Sequence, residues 1–337
     1  MRKPISLILI TVLVTFTIFL SCLNNKISLA ETNRAGETSL VANSSQSAES
    51  NTLYGAWMGT WPSATDRNIE NYNILSNHHC GVIHSFIYSY QNMDDWADFM
   101  DYTKEQEAIN LLTIILVKNN GKQYSTVDIN KGELDAYFTE IAKQLKNWQD
   151  GSEIWFQPLY EANGYWFGWN IGNSKINTNE TYRNAYQRIV TIFRDNGATN
   201  VKFVYNVNYQ NNGEGASYMG AYPGDNFVDY VSIDGYNWGT SQSWSKWQTF
   251  RQTFRQTFDA AYTALTKGSN KPVIITEVAS TEKGGSKADW ITDMKKQIET
   301  GAYPELKAVI WFNDNGNSEE MDWTIDTSES SLAAYQE

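Results

Sequence analysis

Two glutamates stand where apolar runs of this chain give out. Residues 154–160 read Ile-Trp-Phe-Gln-Pro-Leu-Tyr and are followed by Glu161; residues 272–276 read Pro-Val-Ile-Ile-Thr and are followed by Glu277. A carboxylate at the end of a buried strand is costly unless it is paired or used. Brought together, two such groups can do acid–base and nucleophilic work. One, protonated, gives its proton to a leaving oxygen, while the other, ionised, attacks carbon or activates water. That division asks for pKa values pushed apart, the acid upward and the nucleophile kept low. Taken singly, each glutamate could instead be a strand-end residue paired with Lys or Arg. The loop after Glu161 favours chemistry, because Tyr165, Trp166, Phe167 and Trp169 crowd it among glycines.

Opposed carboxylates need a scaffold that returns distant strand ends to one place. Eight short runs rich in Val, Ile and aromatics read as strands, at residues 54–58, 81–88, 111–117, 154–160, 201–206, 228–233, 272–276 and 308–312. Several lack polar alternation, as strands covered on both faces should. Helical stripes lie between them. Leu134, Phe138, Ile141, Leu145 and Trp148 form one, and Tyr182, Tyr186, Ile189 and Phe193 form another, stopped by Asn196-Gly197. Trp247, Phe250, Phe254, Phe258, Ala261 and Leu265 form a third, Ser286 with Asp289 suggests a cap for a fourth, and helices also fit 66–76 and 94–108. Strict alternation over about 280 residues fits an α/β fold of the single (β/α)8 TIM barrel type. No Gly-x-Gly-x-x-Gly follows the first strand, which weakens a dinucleotide-binding alternative.

In such barrels the functional face is the carboxyl end of the strands. The residues expected there are Trp57 and Trp61, Tyr88 and Tyr90, Lys118, Glu161, Asn206 and Asn208, Asp234, Tyr236 and Trp238, Glu277, and Trp311, Asn313 and Asp314. Aromatic faces stack on sugar rings, and amides and carboxylates bind their hydroxyls. Recurring at successive strand ends, these residues point to a saccharide site, with Glu161 and Glu277 across its mouth from each other. The chain holds 13 Trp and 20 Tyr, which agrees.

The remaining composition narrows the setting. Arg2 and Lys3, an apolar run from Leu7 to Leu20 and Ser28-Leu29-Ala30 make residues 1–30 a secretory signal with a cleavage site. The run is short for a membrane span. Export is therefore expected over stable membrane insertion, and over a lipid anchor on Cys22. Residues 31–51 are polar and unpatterned, a linker to a catalytic domain at 52–337. The formal charge is −12, and the signal removes basic residues only, so nucleic acid and anionic membrane are poor partners and a neutral polysaccharide a suitable one. After the signal Cys80 is the sole cysteine. With His78, His79 and His84 it suggests zinc, but consecutive residues on an extended chain point apart. Turn and core roles are expected, with no metal and no cofactor.

Pro158-Leu159-x-Glu161-Ala162-Asn163-Gly164-x-Trp166-Phe167-x-Trp169 resembles the acid/base segment of glycoside hydrolase family 26. Asp234-Gly235-Tyr236-Asn237-Trp238-Gly239, Ile275-Thr276-Glu277 and Trp311-Phe312-Asn313 with Asp322-Trp323 resemble its later segments, in the same order. The resemblance implies a retaining endo-β-glycanase with Glu161 as acid/base and Glu277 as nucleophile. It also implies that Tyr236 hydrogen-bonds the nucleophile and that Trp166 and Trp238 build sugar platforms. Tyr160, Trp169, Asn206, Asp234, Trp311 and Trp57 complete the expected substrate-binding set. The implied polymer is β-mannan, with mixed-linkage β-1,3-1,4-glucan or an exopolysaccharide as alternatives, and a non-catalytic carbohydrate-binding barrel as the alternative of another class. Two positions depart from the pattern: Tyr160 stands where the family usually carries His, near the 2-hydroxyl of the sugar being cleaved, and Gln157 where it usually carries Arg.

Overall fold

The computed structural model describes residues 52–59, 67–92, 94–173, 175–253, 258–315 and 322–337. The expected signal and linker, Trp61 and Phe254 lie outside them. Eight strands, β1 (Leu53–Trp57), β2 (Val82–Tyr88), β3 (Ile109–Ile115), β4 (Ile154–Gln157), β5 (Val201–Asn208), β6 (Tyr230–Asn237), β7 (Val273–Ser280) and β8 (Leu306–Phe312), pair in sequence order. All pairings are parallel, and β8 closes on β1 to complete a (β/α)8 TIM barrel.

The helices follow the predicted stripes closely. On α4 (Asp135–Leu145), Phe138, Ile141 and Leu145 are buried, and Trp148 begins the 3-10 turn that follows. On α5 (Asn179–Asp195), Tyr182, Tyr186, Ile189 and Phe193 are buried, and Gly197 beyond its end has φ +79°. The third stripe is only partly helical: Trp247 precedes α6 (Phe250–Thr253) in a loop, α7 (Asp259–Gly268) carries its later part, and Phe250, Phe258, Ala261 and Leu265 are buried. Ser286 caps α8 (Lys287–Glu299) by accepting from the Asp289 amide. The predicted helices at 66–76 and 94–108 appear as α1 (Asn68–Ser76) and α2 (Asp94–Glu105). Two helices go beyond the expectation: α3 (Thr126–Asn130), set by a Ser125–Asp128 capping box, and α9 (Glu329–Gln336).

Inside the barrel the two-residue period of the strands stacks side chains in layers. Val82, Leu111, Trp155, Val204, Ile274, Ala308 and Ile310 form an apolar floor. One step toward the carboxyl ends the lining turns polar and is fully buried. His84 Nε2 lies 2.8 Å from Thr113 Oγ1, and Gln157 bridges Thr113 (3.2 Å) and Ser232 (3.2 Å). The Asn206 amide donates to Ser232 Oγ (2.8 Å) and Thr276 Oγ1 (2.9 Å), and Thr276 in turn donates to Asp234 Oδ1 (2.5 Å). Burial pushes the His84 imidazole down to about 3, so it is neutral. Cys80 and His78 lie at the other end of the barrel. Cys80 is buried in the turn before β2 with its thiol pushed up to about 12 by burial, and His78 Nε2 meets the Tyr335 carbonyl at 2.9 Å.

Among the strand ends that differ from expectation, those of β4, β6 and β7 matter most at the mouth. Pairing of β4 stops at Gln157 because Pro158 has no amide hydrogen for the ladder. Glu161 therefore lies in a loop rather than at a strand end. β6 and β7 instead run on to Asn237 and Ser280, so Asp234, Tyr236 and Glu277 sit within strands. The β6–β7 register also slips: Ile233 pairs with Ile275, and Asp234 with Glu277, leaving Thr276 as the extra residue of a bulge. Consecutive strand residues normally face opposite sides. The bulge lets Thr276 and Glu277 both serve the interior, as bulges beside functional sites do.

Thr276→Val should therefore cost about 1–3 kcal/mol, since it leaves Asp234 Oδ1 without its donor and the Asn206 amide short of an acceptor. Urea unfolding should show a lower midpoint with an unaltered slope. An unchanged midpoint would mean that the buried network adds nothing to stability.

Candidate active site

Glu161 is held in a left-handed backbone conformation, φ +51°. For a residue with a side chain this costs on the order of 1–3 kcal/mol and persists only where the surroundings enforce it. Here they do so from both sides. The Glu161 amide donates to Asn206 Oδ1 (2.5 Å), and the Glu161 carbonyl accepts from the Gly164 amide (2.8 Å) and Asn170 Nδ2 (2.8 Å). Three buried asparagines then brace the loop. Asn163 spans to the Asn208 amide and carbonyl, Asn170 also accepts from the Phe167 amide, and Asn177 donates to the carbonyls of Gly168 and Asn170. Glu161 Oε1 accepts from Asn208 Nδ2 (2.6 Å) and Oε2 from Trp166 Nε1 (2.5 Å). Gly164 is required beneath that indole, because a Cβ there would lie 2.7 Å from the Trp166 ring.

Glu277 is brought to the same place by strand register. Asn208 on β5 pairs with Asp234 on β6, and Asp234 pairs with Glu277 on β7. The Tyr236 hydroxyl donates to Glu277 Oε2. Both glutamates are largely shielded from water, 9% and 7% exposed. Burial raises both pKa values. The Glu161 charge raises Glu277 further, which places the two carboxyls within electrostatic reach of each other. What lowers them is hydrogen bonding alone, from Asn208 and Trp166 on Glu161 and from Tyr236 on Glu277. The expectation that the environment keeps Glu277 low is therefore corrected. In the free protein burial pushes both carboxyls up, Glu277 to about 8. Asp234, fully buried beneath them, is pushed well above the usual carboxylate range by burial and by Glu277 and Glu161, and its Oδ2 has no hydrogen-bond partner among the described residues.

The other expected residues separate into two groups. Trp57 stacks on Phe312 (4.0 Å between ring centres) and meets Phe86 edge-on, lining the mouth. Trp238 is half-buried against Tyr236 and Trp323. Tyr160 is close enough to both glutamates for their charges to raise its hydroxyl pKa, though burial is the larger cause, and its ring packs among Phe86, Phe167 and Trp169. Trp166 was expected as a platform; it also donates to Glu161 and is 39% exposed.

Trp169, Trp311 and Asn206 do not reach the cleft. Trp169 is fully buried, stacked on Phe167, with its indole donating to the Tyr160 carbonyl. Trp311 faces outward from β8 between Trp290 and Tyr335, its indole held by the Trp323 carbonyl. Asn206 and Asp234 belong to the polar layer beneath the carboxylates, and Lys118 is ion-paired with Asp128 and Glu133. Asn208, a ligand of Glu161, stood among the expected strand-end residues without a role. Thr276 was missed because nothing in its type or spacing announces a bulge.

Comparison with known proteins agrees with this geometry. Residues 115–303 match the model of glycosyl hydrolase family 26. Endoglucanase H of Acetivibrio thermocellus is 48% identical over 287 residues, covering 84% of this chain and 30% of that protein. A mannan endo-1,4-beta-mannosidase of Bacillus subtilis is 25% identical over 211 residues, covering 60% of this chain and 49% of that protein. The chain thus spans less than half the length of either relative. A β-mannanase structure from Bacteroides ovatus superposes with a TM-score of 0.66 at 17% identity, covering 86% of this chain and 89% of that one, and shares the barrel. With the family model spanning more than half of its residues, the chain belongs to glycosyl hydrolase family 26.

Proposed function

We propose that the protein is a secreted, retaining endo-β-glycanase acting on β-1,4-linked glucan, mixed-linkage β-1,3-1,4-glucan foremost. Glu277 attacks the anomeric carbon, using Oε1 because Oε2 is occupied by the Tyr236 hydroxyl. Glu161 gives its proton to the leaving oxygen. A glycosyl ester on Glu277 results, and water, deprotonated by Glu161, then displaces it. Among the described residues Glu161 accepts two hydrogen bonds on a carboxyl with about four acceptor positions, which leaves room for the transferable proton. The reacting form carries a proton on Glu161 and a charge on Glu277, and the burial that raises Glu161 favours its keeping that proton. Secretion rests on residues 1–30 alone.

Tyr160 carries the choice of polymer. Glucose and mannose differ only in the configuration at C2, and Tyr160 replaces the residue that family mannanases usually place near that hydroxyl. The chain is 48% identical to a protein named an endoglucanase and 25% identical to the B. subtilis mannosidase, which supports glucan over the β-mannan that the family resemblance alone suggests. β-Mannan stays as the second reading, supported by the mannanase relatives.

Incubation with mixed-linkage β-glucan, mannan, xylan and cellulose, followed by product analysis, tests the polymer. The glucan should be cut at least about tenfold faster than the others, to oligosaccharides whose new ends keep the β configuration; preferential release of manno-oligosaccharides would reverse the assignment. Glu277→Ala should lose essentially all turnover while its unfolding midpoint does not fall, since it removes a buried, repelled carboxylate. Normal rates in that variant would refute the nucleophile. Tyr236→Phe removes a donor that favours ionised Glu277. The pKa of Glu277 rises, so the acid limb of the kcat/KM–pH profile should move upward by about one pH unit. An acid limb that stays in place would mean that another group governs it.

A further inference from the structure

Trp244 is 70% exposed, among the most exposed large apolar side chains described. One exposed aromatic is unremarkable in itself. This one is the outer end of a continuous aromatic path that begins at the catalytic pair. Tyr236, which donates to Glu277, packs against Trp323 (5.3 Å between ring centres) and Trp238 (5.9 Å). Trp238 in turn meets Trp244 at 5.5 Å with the rings tilted by 58°.

The loop that carries Trp244 is tightly braced. Ser241 donates to the Trp238 carbonyl through both its amide (3.1 Å) and its hydroxyl (2.6 Å). Ser245, beside the tryptophan, donates from Oγ to the Gly239 carbonyl (2.8 Å) and accepts from the Gln242 amide (3.2 Å). The Thr240 amide ties the loop to the Lys283 carbonyl of the neighbouring strand's loop (2.9 Å). That approach needs Gly239, which has φ +52° and where a Cβ would lie 2.0 Å from the same carbonyl. An indole that gains little by burial is thus carried on a braced backbone against Trp238, which lowers the cost of ordering the loop on binding.

We propose that Trp244, backed by Trp238, is a platform for a sugar ring of the substrate chain beyond the pair of sugars joined by the cleaved bond, and so makes the enzyme favour long chains. The occupant is the apolar face of a pyranose in the same β-linked polymer, because the path is continuous with the catalytic cleft and carries no charge that would select another ligand. The inference rests on the glycanase reading and goes beyond it in assigning length discrimination to one residue outside the reacting centre.

The test compares trisaccharides with hexasaccharides, in both the β-1,3-1,4-gluco and the β-1,4-manno series, for the parent, Trp244→Ala and Trp244→Phe. In the series that the parent cuts, Trp244→Ala should lower the hexasaccharide-to-trisaccharide ratio of kcat/KM by about tenfold, or ~1.4 kcal/mol. The loss should lie mainly in KM, and Trp244→Phe should recover much of it. An equal loss at both lengths would mean that Trp244 only props Trp238, and no loss would mean that it touches no sugar; either overturns the platform. If the parent cuts only the manno series, the glucan assignment fails while the platform is still tested. If it cuts neither series, calorimetric binding of the hexasaccharides decides, and equal affinities of parent and Trp244→Ala overturn the proposal.

Discussion

Everything at the mouth of this barrel answers to one constraint: Glu161 and Glu277 are buried close together, and hydrogen bonds rather than a cation oppose the rise of their pKa values. Like charges out of water repel, so the doubly ionised pair is disfavoured. The polar layer below does not remove that pressure. Its imidazole is neutral, its amide at Gln157 carries no charge, and Asp234 adds a third acidic group that burial and its neighbours push well above the usual range. The resulting instability is the kind that active sites retain and the rest of the fold offsets.

Two local departures from regular strand geometry create the pair. Pro158 ends the β4 ladder, which frees the chain to turn at Glu161 into a conformation that only surrounding hydrogen bonds sustain. The β7 bulge turns Glu277 inward beside Thr276, where an unbroken strand would have sent one of them outward. The two devices share supports. Asn206 accepts from the Glu161 amide with its oxygen and donates to Thr276 with its nitrogen, so one buried amide ties the backbone of the first glutamate to the bulge that aims the second.

Much of this was legible in the sequence, and the remainder was hidden for identifiable reasons. Alternating apolar runs and helical stripes announced the barrel, since a two-residue period and a 3.6-residue period are written directly in residue order. Glu161 and Glu277 stood out because charge after an apolar run is unusual. Trp169 and Trp311 were misplaced because a tryptophan near a strand end fits cleft and core equally well, and only packing decides. The bulge left no mark, since Thr276 is an ordinary strand residue. The rise at Glu277 was hidden for a related reason: residue types identify the carboxyls, but how far each is buried and how near the folded chain brings them is set by packing.

The proposed division of labour between the two glutamates can be read out covalently. An activated 2-deoxy-2-fluoro-β-cellobioside slows both steps but, with its good leaving group, lets the ester accumulate. After incubation, proteolysis and mass spectrometry of the peptides, the added sugar should be found on Glu277, with Glu161 unmodified. Label on Glu161, or label that still forms when Glu277 is replaced by alanine, would contradict the proposed mechanism at its centre.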